Sequence, residues 1–134
     1  MLKVTPNLHF AGQCKQAIEL YKQAFGAEVK ILLCNSDINP SDTNQGDIVY
    51  HAEFYIGEQR ITATDAPDDP ISSHPMSLLI TFETAEYVKK AYEIMARGAK
   101  IIYPIQSTLY SSCFVSLVDK FGMRWELMTE QTER

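Results

Sequence analysis

The two halves of this 134-residue chain follow one plan, and that repetition constrains the fold more than any other feature. In each half, an alternating apolar segment precedes an amphipathic stretch that runs into Gly-Ala, a charged residue and a β-branched residue, at 26–29 and again at 98–101. Further β-rich segments follow in both halves. A unit of one helix and several strands cannot cover its own apolar sheet face, so we expect the two copies to pack together around a shared concavity.

The first half contains signals for four strands and one helix. Period-two alternation predicts a strand over Leu2–Phe10, and apolar residues at helical spacing predict a helix over Gln13–Phe25. The other strands are predicted over Glu28–Cys34, Ile48–Ile56 and Gln59–Thr64, with a hairpin between the last two. Residues 35–47 are polar and lack periodicity, which predicts a long loop.

The second half repeats this order. It predicts a strand over Met76–Phe82, a helix from Thr84 to the glycine at 98, and strands over Lys100–Tyr103, Cys113–Val118 and Met123–Thr129. The intervening segment 65–75 holds three prolines and stops both helix and sheet. We therefore expect one α+β domain over 1–134, made of two paired βαβββ modules, 1–66 and 75–134, with a linker at 67–74. Their strands should form a cupped, mixed sheet.

Composition excludes several classes of function. The net charge of −5 and the scattered lysines and arginines argue against a nucleic-acid partner, which would need a clustered basic surface. No apolar run approaches the roughly 20 residues of a membrane span. Cys14, Cys34 and Cys113 form no Cys-x-x-Cys pair, so neither a disulfide framework nor a zinc knuckle is indicated. This cysteine use favours the reducing cytoplasm.

Strand parity predicts which side chains line the cup. If one parity of each strand faces the helices, the other faces the open side of the sheet. Several ionisable groups would then converge on one concave surface. The predicted cup residues are Thr5, Asn7 and His9 on the first strand; His51, Glu53 and Tyr55 on the third; Arg60, Thr62 and Thr64 on the fourth; Ser77, Leu79 and Thr81 on the fifth; and Arg124, Glu126 and Met128 on the last.

The histidines among these residues allow more than one interpretation. His51 and Glu53 share a strand face, so they form a solvated surface pair, contact a ligand, or bind a metal ion with the carboxylate orienting the imidazole. His9 is either a cup residue or a strand histidine bonded to a neighbour.

The arginines and the tryptophan also have alternatives. Arg60 and Arg124 could clamp an anionic ligand, although a strand arginine more often pairs with a carboxylate such as Glu53 or Glu126. Trp125 has the helix-facing parity of its strand, which favours core packing over ligand stacking.

Several segments resemble the vicinal oxygen chelate superfamily, which includes glyoxalase I, fosfomycin and bleomycin resistance proteins, and extradiol dioxygenases. More closely, the chain is similar to the PhnB-like, or demethylubiquinone methyltransferase-like, branch. The resemblance covers nearly the whole chain and implies paired βαβββ modules and a homodimer. The segments that carry it are Pro6–Gly12, Ala17–Ala27, His51–Glu53, Asp65–Pro67, Gly98–Lys100 and Asp119–Leu127.

The resemblance also implies a metal site with ligands from the first, fourth, fifth and last strands. The corresponding positions hold Thr5 (or Asn7 or His9 if the register slides), Thr62, Ser77 and Glu126. Only Glu126 is a good ligand, so no complete metal site and no cofactor are expected. The alternative is a divalent metal held by Glu126 with His9 or His51 as a shifted ligand.

We therefore expect a small-molecule-binding protein of the resistance-protein type, which takes a polar or anionic organic molecule in the cup. The alternatives are a metal-dependent lyase or dioxygenase and an interaction module without a ligand, so enzymatic activity is left open. Methyl transfer is not expected, because the sequence has no Gly-x-Gly turn to hold S-adenosylmethionine. The predicted ligand-binding residues are Asn7, His9, His51, Glu53, Arg60, Thr62, Thr64, Ser77, Arg124 and Glu126.

Overall fold

The computed structural model of the chain describes residues 3–41, 46–65 and 76–130. The chain divides into two compact units, Met1–Pro70 and Ile71–Arg134. The predicted linker 67–74 lies outside the described residues, so the proposed boundary there stays a prediction. None of the described helices is long and apolar enough to cross a membrane.

The first unit is a four-stranded sheet with two helices. The strands run in the order β1-β4-β3-β2; β1 is parallel to β4, and the other neighbours are antiparallel. The elements are β1 (Asn7–Phe10), α1 (Cys14–Phe25), β2 (Glu28–Cys34), α2 (Asn35–Ile38), β3 (Val49–Ile56) and β4 (Gln59–Asp65).

The second unit repeats this topology. Its strand order is β5-β8-β7-β6, again with one parallel pair at the β5 edge. The α+β class and the duplicated βαβββ plan are therefore confirmed. The elements are β5 (Leu78–Phe82), α3 (Ala85–Met95), β6 (Lys100–Gln106), β7 (Phe114–Val118) and β8 (Arg124–Thr129).

Several predicted boundaries were wrong; for example, β5 begins at Leu78 rather than Met76. β1 begins at Asn7 rather than Leu2, just after Pro6, whose carbonyl accepts a hydrogen bond from the Thr62 amide at 3.0 Å. The segment predicted as a loop from residue 35 begins with α2, because the Asp37 carboxylate accepts the Cys34 amide at 2.7 Å and caps the turn. β6 continues to Gln106, since an edge strand tolerates an internal proline.

The two long helices cover one face of each sheet. In α1 the buried residues Cys14, Ala17, Ile18 and Tyr21 follow helical spacing, and Gly26 ends the helix with a φ of 69°. In α3 the buried residues are Val88, Ala91 and Met95. The opposite face of each sheet carries the polar side chains described below.

Trp125 belongs to the core of the second unit, as predicted. Its side chain is fully buried, and its indole N–H donates to Asp119 Oδ2 at 2.9 Å. Asp119 Oδ1 also accepts the amides of Phe121 and Met123 at 2.9 and 3.0 Å. This buried carboxylate holds the β7–β8 turn against the core and so fixes where β8 begins.

Asp65 has a comparable role in the first unit, although the predicted strand ended one residue earlier, at Thr64. It is the last residue of β4, and its Oδ1 accepts the amides of Gly12 and Cys14, both at 3.0 Å. Its Oδ2 accepts the Val49 amide at 2.9 Å. One carboxylate thus joins β4, the start of α1 and the start of β3.

Candidate ligand-binding faces

Strand register brings most of the predicted polar residues of the first unit onto one sheet face. Asn7 of β1 lies opposite Thr62 of β4, and Thr62 lies opposite Glu53 of β3. Residues directly opposite each other in neighbouring strands project to the same face. We call this surface the first polar face; it consists of Asn7, His9, His51, Glu53, Arg60 and Thr62.

A short chain of polar contacts runs along one side of the first polar face. The Thr62 hydroxyl donates to Asn7 Oδ1 at 2.9 Å, and Asn7 Nδ2 lies 3.4 Å from His9 Nε2. Thr62 itself is only 8% exposed, whereas Asn7 and His9 are exposed. Thr62 therefore acts mainly by orienting the Asn7 amide, and Asn7 and His9 present their side chains to solvent.

An ion pair occupies the other side of this face. Arg60 Nε contacts Glu53 Oε1, and Arg60 Nη1 lies 3.5 Å from Thr5 Oγ1. The Glu53 side chain is 15% exposed and the Arg60 side chain 42%. Of the two interpretations of Arg60, the structure thus shows carboxylate pairing. The guanidinium has five N–H donors, so it retains donors for a ligand.

His51 and Thr64, both predicted to bind a ligand, have different surroundings. His51 is half-buried and lies opposite Leu33 of β2. The Thr64 hydroxyl donates to the Tyr50 carbonyl at 2.9 Å, which links β4 to β3. Thr64 was predicted as a ligand-binding residue, but its hydroxyl proton serves the sheet backbone.

In the second unit, the predicted residues converge on Glu126. Ser77 donates to Glu126 Oε1 at 2.5 Å, Ser116 donates to Oε2 at 2.6 Å, and Arg124 Nη2 lies 3.4 Å from Oε2. We call Ser77, Ser116, Arg124 and Glu126 the second polar face. Both oxygens of the Glu126 carboxylate therefore already accept hydrogen bonds from this unit.

These contacts determine the charge state of Glu126. Burial acts to raise its pKa, but the hydrogen bonds from Ser116 and Ser77 and the positive charge of Arg124 outweigh burial and lower the pKa below the ordinary glutamate value. Glu126 is therefore ionised at neutral pH, and its charge is neutralised locally by Arg124.

Sequence reasoning missed Ser116, although a signal was present. It is the one polar residue in the apolar strand Phe114–Val118, and it is fully buried. A lone hydroxyl within a buried strand requires a hydrogen-bond partner. Its position directly opposite Glu126 supplies that partner.

Each unit has a carboxylate residue facing a hydroxyl residue on the neighbouring strand, but the carboxylate lies on the other strand of the pair in the second unit. In the first unit the carboxylate of Glu53 is on β3 and faces the hydroxyl residue Thr62 on β4. In the second unit the hydroxyl residue Ser116 is on β7 and faces the carboxylate of Glu126 on β8. In each case an arginine lies two residues before the β4 or β8 member. The duplicated plan thus extends to the polar faces.

The described residues form no cluster of metal ligands. Within 3–41, 46–65 and 76–130, no group of three or more His, Cys, Asp or Glu side chains is placed to hold a metal ion. Of the residues considered for the alternative site, Glu126 accepts three contacts within the second unit, whereas His9 and His51 belong to the first. We therefore derive no chemistry that passes through a metal.

The cysteines are not candidate nucleophiles. Cys14, Cys34 and Cys113 are buried free thiols. Burial, together with the negative charge of Asp65 and the neighbouring Cys34, raises the pKa of Cys14 to about 12. Since only a thiolate is an effective nucleophile, Cys14 is inert at neutral pH.

Solved structures with the same fold are found among bacterial proteins. PA1353 from Pseudomonas aeruginosa matches with a TM-score of 0.85 and 25% identity, covering 98% of this chain and all of that one. The PhnB protein of Bacillus cereus matches with a TM-score of 0.80 and 27% identity, covering 96% and 99% of the two chains. The fosfomycin resistance protein FosX of Listeria monocytogenes, 12% identical over 98% of this chain and 94% of its own, shares the fold with a TM-score of 0.67.

These likenesses show that the chain has the glyoxalase-like fold. At the sequence level, Protein YjdN of Escherichia coli K12 is 26% identical over 136 aligned residues, with 92% of each chain covered. The profile of the 3-demethylubiquinone-9 3-methyltransferase family matches residues 2–128. The chain belongs to this PhnB-like family, as its sequence motifs predicted.

Proposed function

We propose that this protein binds a small polar or anionic organic molecule on the polar faces of its sheets and does so without a complete metal site. The observation that carries the proposal is the first polar face. Asn7, His9 and Arg60 present amide, imidazole and guanidinium groups to solvent, and Thr62 and Glu53 hold two of them in place. A few convergent polar groups of this kind are what fixes the orientation of a small ligand.

The second polar face supports the same proposal in a different way. The Ser77 hydroxyl donates its proton to Glu126, so its oxygen is left as an acceptor on an exposed residue. Arg124 and Glu126 neutralise each other. This face suits a neutral or donor-bearing group, whereas Arg60 on the first polar face suits an acceptor or an anion.

Methyl transfer, the activity in the family's description, is not part of the proposal. S-adenosylmethionine is usually held at a glycine-rich turn of a parallel sheet, and this sequence contains no Gly-x-Gly.

A homodimer and a cytoplasmic location remain part of the proposal. Three buried free thiols support a reducing compartment. Light scattering on protein eluted from a size-exclusion column tests the homodimer, whose mass should be twice the 15.2 kDa of one chain.

The experiment is a thermal-shift screen of chelator-treated protein against a library of small polar and anionic organic compounds. A binder present at about 100 times its dissociation constant adds roughly 2.7 kcal/mol to the free energy of unfolding, which raises the melting temperature measurably. We expect at least one such compound, and we expect Arg60→Ala and Asn7→Ala to weaken its effect.

Arg97→Ala serves as the matched control, because Arg97 is exposed near the end of α3 and belongs to neither polar face. The screen is repeated after addition of Mn(II), Zn(II), Ni(II) or Fe(II). Binding that appears only with a metal would overturn the metal-free proposal and favour a metal-dependent lyase or dioxygenase. A library without any binder would favour an interaction module.

A further inference from the structure

We propose that the molecule bound at the first polar face is amphipathic, with its polar head at Arg60 and an apolar part on Ile31 and Leu33 of β2. This inference rests on the proposed function and names the chemical class of its ligand. No motif pointed to these two residues, because β2 reads from sequence as an ordinary strand.

The strand register places this apolar surface directly beside the polar one. Ile31 lies opposite Glu53, and Leu33 lies opposite His51. Their side chains therefore project to the same face as the polar residues. Ile31 is 38% exposed and Leu33 is 40% exposed, so both present apolar surface to solvent next to the ion pair.

The spacing fits a small molecule. Arg60 is on β4 and Ile31 is on β2, and β3 lies between them. Strands are about 4.8 Å apart, and Arg60 faces Tyr55, two residues along β3 from the Glu53 that faces Ile31, so the Arg60 and Ile31 backbones are roughly 12 Å apart. The Arg60 guanidinium reaches over to Glu53 on β3, which shortens this gap, and a chain of six to eight carbon atoms with a polar head spans what is left.

Charge complementarity favours an acceptor or anionic head. The charge of Glu53 is balanced by Arg60, and the Arg60 side chain is 42% exposed, so a carboxylate head can reach the guanidinium without facing an uncompensated negative charge.

The apolar surface is small. Ile31 and Leu33 offer far less area than the roughly 800 Å² that each partner buries in a stable protein complex. The apolar surface therefore suits part of a small ligand rather than a second copy of the chain.

The test is a two-dimensional NMR titration of the full chain with acetate, butanoate, hexanoate and octanoate. Each buried methylene contributes about 0.8 kcal/mol, so we expect affinity to rise about fourfold per added methylene up to hexanoate. Amide shifts should extend from β4 and β3 in acetate to Ile31 and Leu33 in the longer acids.

The double variant Ile31→Asn/Leu33→Asn should abolish the rise of affinity with the chain length of the acid and leave the affinity for acetate unchanged. Ile31→Ala provides a milder variant if the double variant folds poorly, and it should reduce the slope. Ile38→Asn is the matched control, because Ile38 is 58% exposed on α2 and lies off the sheet. The Ile38→Asn variant should keep the wild-type rise of affinity with chain length.

The outcomes separate this inference from the proposed function. Equal affinities across the series, or longer acids that perturb amides away from β2, would overturn the amphipathic ligand and leave polar binding standing. Absence of binding by every acid would overturn the inference as well. The proposed function itself fails if the broader compound library also yields no binder, or if every binder requires a metal.

Discussion

The hydroxyl of Ser116 donates to Glu126 Oε2 at 2.6 Å across a directly opposed pair of β7 and β8 residues. Ser116 is fully buried, and the Glu126 side chain is 15% exposed. With Ser77 on the other carboxylate oxygen, this contact makes Glu126 part of an internal hydrogen-bond network. The same contact holds the Glu126 carboxylate in a fixed position on the second polar face.

Replacing Ser116 with alanine tests the strength of this network. A hydrogen bond to a charged group contributes about 1.5–3 kcal/mol, so Ser116→Ala should lower the free energy of unfolding by about 2 kcal/mol at pH 7. It should also raise the pKa of Glu126, measured by carboxyl-carbon NMR. Ser36→Ala on the exposed surface of α2 is the control and should leave stability unchanged. An equally small effect of both substitutions would refute the role of Ser116.

The lowered pKa of Glu126 makes stability depend on pH in a defined direction. Because the folded state binds this proton more weakly than the unfolded state, Glu126 stabilises the fold above its unfolded pKa, and this stability is lost as the pH falls through the folded pKa. In urea denaturation between pH 7 and pH 3, the advantage of wild type over Glu126→Gln should shrink with acidification. Glu58→Gln, in the exposed β3–β4 turn, should show no such trend. A difference that grows at low pH would contradict the assignment.

Asp65 should be sensitive to loss of its charge. Asp65→Asn places an amide donor or a weaker acceptor against the amides of Gly12, Cys14 and Val49, so we expect a loss of about 3 kcal/mol in the free energy of unfolding. Hydrogen exchange at these three amides should accelerate. Asp47→Asn is the control, since the Asp47 side chain is 96% exposed. Unchanged exchange at Gly12 and Cys14 would show that the carboxylate does not join these elements.

Cys14 should be unreactive in the folded protein. Its raised pKa keeps the thiol protonated, so iodoacetamide at pH 8 should leave it unmodified by peptide mass mapping until urea unfolds the chain. The same shift predicts that its contribution to stability is complete below pH 9.0 and is lost as the pH rises towards 12, because only the unfolded state ionises in that range. Cys14→Ala should lose this alkaline dependence. Rapid labelling of native Cys14 would contradict the prediction.

The sequence predicted the fold well because its signals were periodic and repeated. The parity of β1, β5 and β8 was read correctly: Leu8 and Phe10 are buried, while Asn7 and His9 are exposed. The core position of Trp125 followed from the same alternation. Parity depends only on the two-residue period of a strand, so no knowledge of partners was required.

Features that depend on pairing between strands were harder to predict. Nothing local indicates that Ile31 lies opposite Glu53 or that Ser116 lies opposite Glu126, because register is set by the whole sheet. Nothing local indicates the role of Asp65 either, because its carboxylate oxygens accept amides more than ten residues away. In the same way, no local pattern shows that the Thr64 hydroxyl donates to the backbone of β3.

Binding of a small molecule to the polar faces without a metal can be observed residue by residue. The measurement is the amide NMR spectrum of chelator-treated protein with a compound confirmed by the thermal-shift screen. We predict shifts concentrated around Asn7, Glu53 and Arg60, unchanged by added Mg(II) or Zn(II) and lost in Arg60→Ala. Shifts confined to the helical face of the sheet, or binding that requires a divalent ion, would contradict it.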